Sequence, residues 1–150
     1  MGEYPSKDLY AMHRSIQDKY TYFLLAITAS AIAFSIQKTD SLKISWSLIP
    51  IGFAVLFWCV SFYCGCKNLI WVQVTLYANY ALVQLSEGNH PDQPANPAMS
   101  QAAKEGAANA MVENASRARF YSIFQYRFLI AGAILFLIWH ILEMLLRTYG

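Results

Sequence analysis

Three long apolar stretches dominate the pattern of hydrophobic and polar positions along this chain. They cover residues 20–37, 45–66 and 128–146. A helix needs about 20 apolar residues to cross the hydrocarbon core of a bilayer. The pattern therefore predicts an all-α integral membrane protein with three transmembrane helices, forming a single membrane domain over residues 1–150.

The apolar pattern continues past the second stretch without a helix breaker. Residues 67–86 remain apolar, and the chain then meets Gly88 and three prolines before it becomes helical in composition again. Glycine and proline end helices and mark loops. We therefore predict that the second and third spans extend into a cytoplasmic antiparallel helical hairpin over residues 67–127, with its loop at 87–97.

The predicted hairpin has a face of mostly small residues. On the returning helix these recur at steps of three or four, at Ala103, Ala107, Ala110, Asn114 and Ala118. The larger side chains expected opposite them are Val72, Leu76, Tyr80 and Val83. Small residues let a neighbouring helix approach closely. Because the stretch 67–86 is apolar nearly all round, it needs more than one partner, and we expect a homo-oligomer.

The N-terminal residues 6–19 predict a short amphipathic helix. Ser6 is a helix-cap signal, and one helical face carries Leu9, Met12, Ile16 and Tyr20. A helix of this kind lies on the inner leaflet or packs against the base of the hairpin. The pattern leaves both arrangements open.

Composition agrees with a membrane location. Hydrophobic residues make up 57% of the chain and charged residues 13%, unlike an ordinary soluble domain. A net charge of +2 without a basic cluster argues against nucleic acid as a partner. The three cysteines Cys59, Cys64 and Cys66 lie in or beside one apolar stretch. We expect them to be packing residues, with neither a disulfide framework nor a metal or other cofactor.

The distribution of Lys and Arg predicts an orientation, because cytoplasmic segments carry an excess of both. Eight of the eleven fall in the N-terminal segment or between the second and third spans. We therefore expect a cytoplasmic N-terminus and a periplasmic C-terminus in a bacterial inner membrane. Arg117, Arg119 and Arg127, beside several aromatic residues, are expected to mark the inner membrane boundary.

The third span carries the candidate chemistry. His140, Glu143 and Arg147 follow one another at steps of three and four, so they share a helical face near the outer end of the span. One interpretation is an interfacial anchor, paired internally or with Lys38, Asp40 and Lys43. A second is the mouth of a pore, where a ring of carboxylates favours cations. The third is a proton- or metal-dependent site, for which His140 and Glu143 supply only two ligands.

The sequence contains no catalytic signature: it has no glycine-rich phosphate loop, no nucleophile elbow and no His-Glu-x-x-His. We therefore do not expect an enzyme. The layout of a few spans with a compact helical module is similar to that of small bacterial membrane effectors. The favoured prediction is a homo-oligomeric channel or pore-forming assembly. The alternative is a membrane-tethered adaptor or scaffold whose hairpin binds a cytoplasmic protein partner.

Overall fold

The structure, a computed structural model, describes residues 4–40 and 46–149, with residues 4–15, 17, 18 and 149 described by their backbone only. It contains three long helices: α1 (Tyr4–Thr39), α2 (Ile49–Glu87) and α3 (Pro97–Tyr149). A short 3-10 turn, Trp46–Leu48, directly precedes α2. Of the described residues 92% are helical and none lies in a strand, so the predicted all-α fold is confirmed.

The first helix joins two segments that the sequence pattern separates. α1 runs from Tyr4 to Thr39 without a break between the predicted amphipathic helix and the first span. No glycine or proline occurs between residues 6 and 39, so nothing in the chain interrupts the helix. Ile16 and Tyr20 of the predicted stripe are exposed. Expectations for the side chains of Ser6, Leu9, Met12 and Lys43 lie outside the described part of the chain.

The second helix ends at a glycine for a conformational reason. Gly88 has a φ of 75°, in the left-handed region that side chains disfavour. The next N–H, from Asn89, donates to the carbonyl of Gln84 across 3.0 Å, which satisfies one of the last helical carbonyls. This cap places the end of α2 within one residue of the predicted start of the loop.

The third helix begins with a polar cap followed by proline. The side-chain oxygen of Asn96 accepts a hydrogen bond from the N–H of Ala98 at 2.9 Å. Pro97 occupies the first helical position, where its missing N–H is not needed. The loop predicted at 87–97 is thus observed as Gly88 to Asn96.

Three stretches are long and apolar enough to cross a membrane: Lys19–Thr39 with 21 residues, Trp46–Glu87 with 42 and Pro97–Thr148 with 52. A bilayer core is crossed by about 20 helical residues. By length and composition, the chain therefore has three candidate membrane spans, and the second and third stretches are long enough to extend beyond a bilayer core.

The chain divides into two compact units, and α2 and α3 contribute to both. Unit 1 comprises Met1–Gly65 and Ser122–Gly150, and unit 2 comprises Cys66–Tyr121. In unit 1 the buried positions recur at steps of three, four or seven residues along each helix. They include Thr21, Leu24, Thr28 and Ser35 in α1, Ile51, Ala54, Trp58 and Ser61 in α2, and Gln125, Leu129, Gly132 and Trp139 in α3. This repeat is the one that packs helices at small crossing angles.

Two hydrogen bonds join α2 to the backbone of α3 inside unit 1. The indole Nε1 of Trp58 donates to the carbonyl of Leu129 at 3.2 Å, and the hydroxyl of Ser61 donates to the carbonyl of Gln125 at 2.7 Å. The numbers rise along α2 as they fall along α3, so the helices are antiparallel here. A Cβ atom on Gly132 would lie 2.5 Å from Trp58 Nε1. The absence of a side chain at 132 therefore makes room for the indole.

In unit 2 the small-residue face of α3 is largely covered. Ala118 is buried, and the other four predicted members are half-buried: Ala103, Ala107, Ala110 and Asn114. The guanidinium carbon of Arg117 lies 4.6 Å from the centre of the Trp71 ring, which brings α2 and α3 together at this point. Small side chains along this face are consistent with close helix packing.

The covered face of α2 in unit 2 differs from the expected one. Leu76, Tyr80 and Val83 are exposed, and Val72 is half-buried. The buried residues are instead Asn68, Ala78 and Leu85. Because residues 67–86 are apolar on nearly every side, their sequence contains no single stripe that selects the buried face.

Candidate functional site

A cavity of about 350 Å³ lies in unit 1, lined by the C-terminal parts of α1 and α3. All three residues of the sequence-predicted site, His140, Glu143 and Arg147, line it. They share one face of α3 because they are three and four residues apart. α1 contributes Phe34 and Lys38, which are also four residues apart. The structure thus brings the predicted residues together with a cation and an aromatic ring from another helix.

The rim of the cavity carries more positive than negative charge. Arg147 Nε donates to Glu143 Oε1 at 3.2 Å, and the Arg147 side chain is 70% exposed while that of Glu143 is 19% exposed. Lys38 Nζ lies 5.6 Å from the centre of the Phe34 ring. Of the carboxylates that the structure describes, none pairs with Lys38. Both cations occupy the last turn of their helix, where positive charge complements the helix dipole.

Aromatic rings form the inner wall of the cavity. The centre of the Phe136 ring lies 6.0 Å from that of Phe34, 5.6 Å from that of Trp139 and 5.8 Å from that of Trp58. Trp139 is buried, yet no hydrogen-bond acceptor for its Nε1 occurs among the described residues. The wall is therefore apolar apart from one indole N–H without a partner.

Gln125 is a buried polar residue that sequence reasoning missed. Its side chain is fully buried in unit 1, and neither amide atom has a hydrogen-bond partner within the described ranges. A Cβ atom on Gly65 would lie 2.6 Å from Gln125 Nε2, which shows how closely α2 approaches it. In the sequence, the only signal is an amide on the helical repeat of Leu129 and Gly132.

The three predicted boundary arginines are divided between the two units. Arg117 pairs with Glu113 and covers Trp71 in unit 2. Arg119, also in unit 2, is exposed, and Arg127 is exposed in unit 1. All three arginines are exposed, and Arg117 has both a carboxylate and an aromatic partner.

Metal-binding groups are sparse in the part of the chain that the structure describes. No group of three or more His, Cys, Asp and Glu residues that could hold a metal ion occurs there. The three cysteines are unpaired, with Cys59 exposed, Cys64 buried and Cys66 half-buried. At the cavity, His140 and Glu143 remain two candidate ligands where a tight site needs three or four.

Two exposed surfaces among the described residues bear on assembly. The apolar surface of unit 2 consists of Ile70, Val74, Leu76, Tyr77, Tyr80, Val83, Met99, Val112 and Phe120. The small-residue face of α1 consists of Ala26, Ala29, Ser30 and Ala33, of which all four are exposed. Exposed surfaces made of several apolar residues mark contacts with lipid or with other proteins.

Comparison with protein-family models, with curated proteins and with solved structures finds no match. Function is therefore inferred from this chain's own residues. Three features carry the inference: the charged cavity of unit 1, the apolar surface of unit 2 and the small-residue face of α1.

Proposed function

We propose that this chain is a non-enzymatic integral membrane protein of a bacterial inner membrane whose identical copies assemble into a channel or pore. Its N-terminus and unit 2 lie on the cytoplasmic side, with the unit 2 parts of α2 and α3 forming the antiparallel hairpin, and its C-terminus lies in the periplasm. The uncovered apolar surface of unit 2 is the main support for this proposal.

A cytoplasmic location makes that surface costly. Tyr77 is 76% exposed and Tyr80 is 60% exposed, and Leu76 lies beside them uncovered. Apolar area removed from water stabilises by about 25 cal/mol per Å². Copies of the same chain offer the same surface at equal concentration, so self-association is the simplest way to cover it.

The small-residue face of α1 supports assembly within the bilayer. Helices in lipid gain little from hydrophobic burial and associate through close backbone packing at small residues. Ala29 and Ala33 are four residues apart and exposed, so they make such a face available to a second copy. The two surfaces lie on different units and favour the same outcome.

Lengthening side chains on this face is expected to weaken assembly. In Ala29→Leu/Ala33→Leu the fold of each copy is retained because both positions are exposed, but helices of neighbouring copies no longer approach closely. The native mass of the complex in nanodiscs should fall while its helix content stays unchanged. Cys59→Leu, a small-to-large change at an exposed position of α2, should keep the wild-type mass. A monomeric wild-type particle contradicts the proposal.

Glu143 is expected to influence ion selectivity if the assembly conducts. Glu143→Gln leaves the Arg147 cation without its partner, so the rim becomes more positive and the cation-to-anion permeability ratio should fall severalfold. Reversal potentials in asymmetric KCl would measure this ratio. Glu113→Gln is the matched control, because Glu113 forms the same four-residue pair with Arg117 in unit 2. Equal shifts in both variants, or absence of conductance, would count against the pore.

The exposed tyrosines of unit 2 also favour a second function, a membrane-tethered adaptor. Exposed aromatic residues are frequent anchors of protein–protein interfaces. If Tyr77 and Tyr80 bind a cytoplasmic partner, Tyr77→Ser/Tyr80→Ser leaves the native mass unchanged and Glu143→Gln has no effect on function. If Tyr77 and Tyr80 instead pack against the same surface of a second copy, the double substitution lowers the native mass of the complex.

A further inference from the structure

The cavity between the C-terminal parts of α1 and α3 has the composition of a ligand site. Its volume of about 350 Å³ lies at the lower end of the usual range for small-molecule pockets, roughly 300–1,000 Å³. We infer that it binds an amphipathic anion, a phosphate group carried on an apolar chain, with the phosphate at Lys38 and the chain against the aromatic wall. The inference needs the chain to lie in a membrane, as proposed, but it requires neither assembly nor conduction.

Lys38 provides the charge that the phosphate needs. Glu143 is already paired with Arg147, whereas Lys38 has no carboxylate partner among the described residues. The last turn of a helix carries partial negative charge, which opposes an anion. Threonine hydroxyls offset part of it: Thr39 Oγ1 donates to the Ser35 carbonyl at 2.9 Å. The ammonium group of Lys38 is therefore available to a ligand.

At the end of α3 a threonine hydroxyl also donates to one of the last helical carbonyls. Thr148 Oγ1 donates to the carbonyl of Met144 at 2.9 Å, so one of the last carbonyls of this helix also has a donor. Arg147 Nε donates to Glu143, and Arg147 lines the cavity together with Lys38. Two cations, Lys38 and Arg147, therefore line the cavity into which the phosphate would enter.

The cavity walls favour a ligand that carries an apolar chain as well as an anionic group. Phe34, Phe136 and Met144 offer aromatic and thioether surface, which a bare phosphate cannot use. Beyond the cavity, Ile141 and Leu145 on α3 are exposed apolar residues. The cavity volume suits a headgroup and a few methylenes, and a longer chain would continue along this exposed surface.

Trp139 supplies an independent observation. It lines the cavity, it is buried, and its indole N–H has no acceptor within the described part of the chain. Buried polar groups nearly always have a hydrogen-bond partner. An ester oxygen of a ligand bound in the cavity would supply that acceptor.

The test uses the full chain in dodecyl maltoside, a detergent without phosphate, with three probes. Dihexanoyl phosphatidic acid carries both the phosphate and the chains, dihexanoylglycerol carries the chains alone, and inorganic phosphate carries the anion alone. Tryptophan fluorescence and native mass spectrometry follow binding. We expect one saturable phosphatidic acid per chain, no saturable binding of dihexanoylglycerol, and at least tenfold weaker binding of inorganic phosphate.

Two lysine variants locate the site. Lys38→Gln should raise the Kd for phosphatidic acid at least tenfold, and Lys38→Arg should restore most of the affinity. Lys19→Gln changes an exposed lysine on the same helix outside the cavity and should bind as wild type. Wild-type binding by Lys38→Gln, or equal binding of dihexanoylglycerol, overturns the inference. Inorganic phosphate that binds as tightly as phosphatidic acid overturns the part played by the apolar chain and identifies a soluble anion as the source.

The same spectra separate this inference from the proposed function. A monomer that binds phosphatidic acid through Lys38 contradicts assembly and leaves the ligand site intact. An oligomer without this binding contradicts the ligand site and leaves assembly intact.

Discussion

Gly132→Ala is expected to lower the free energy of unfolding by about 2–3 kcal/mol. The added Cβ would lie 2.5 Å from Trp58 Nε1 and 2.6 Å from Trp58 Cδ1. The indole ring is rigid and buried, so it must move and lose its hydrogen bond to the Leu129 carbonyl. Overpacking and a buried donor without an acceptor each cost about 1–3 kcal/mol, and the better helix propensity of alanine returns about 1 kcal/mol.

Two other glycines provide graded controls for thermal or denaturant unfolding in detergent. A Cβ on Gly52 meets nothing within 4 Å, so Gly52→Ala should be neutral or slightly stabilising. A Cβ on Gly65 would meet Leu25 Cδ2 and Gln125 Nε2 at 2.6 Å, but both atoms lie at the ends of flexible side chains. The loss of stability in Gly65→Ala should therefore lie between those of Gly52→Ala and Gly132→Ala. If Gly132→Ala is no less stable than Gly52→Ala, the Trp58 contact does not hold α2 against α3.

Gln125→Met is expected to raise the free energy of unfolding by about 1–2 kcal/mol. The Gln125 side chain is fully buried, and neither of its amide atoms has a partner among the described residues. Methionine has a similar length and is flexible enough to fill the same space without a polar group that must be desolvated. The backbone carbonyl of residue 125 still accepts the hydrogen bond from Ser61.

The control for this substitution is Gln101→Met. Gln101 is exposed and donates to Glu105 at 2.9 Å, so its replacement should change stability by less than about 0.5 kcal/mol. Unfolding measured for both variants in the same detergent separates the buried amide from a general effect of methionine. A loss of stability in Gln125→Met would contradict the expectation and would indicate that a bound water or ligand satisfies the amide.

Much of the helical architecture follows from local chemistry and could be predicted. α2 ends where Gly88 adopts a positive φ, and α3 begins where Asn96 caps it before Pro97. These signals act over a few residues, so they can be read without knowing what packs nearby. The grouping of His140, Glu143 and Arg147 on one face is likewise a consequence of helical spacing alone.

Contacts between helices could not be predicted in the same way. In unit 2 the buried positions Ala78 and Leu85 alternate with exposed Leu76 and Tyr80, and all four are apolar or aromatic. Hydrophobicity therefore does not distinguish the covered face from the uncovered one. Gln125 shows that polarity is not a sufficient guide either, because this polar residue is fully buried.

By itself the amino-acid sequence determined the helical class, the three candidate spans, the loop, predicted at residues 87–97 and observed at 88–96, and the shared face of the charged residues in the third span. Only the tertiary structure decided that Lys38 and Phe34 join that face around a cavity, and that the space above Gly132 holds the Trp58 indole. The physical reason is the distance along the chain over which each interaction acts. Helix formation depends on neighbours within about one turn, whereas helix packing depends on which of several equally apolar faces meet.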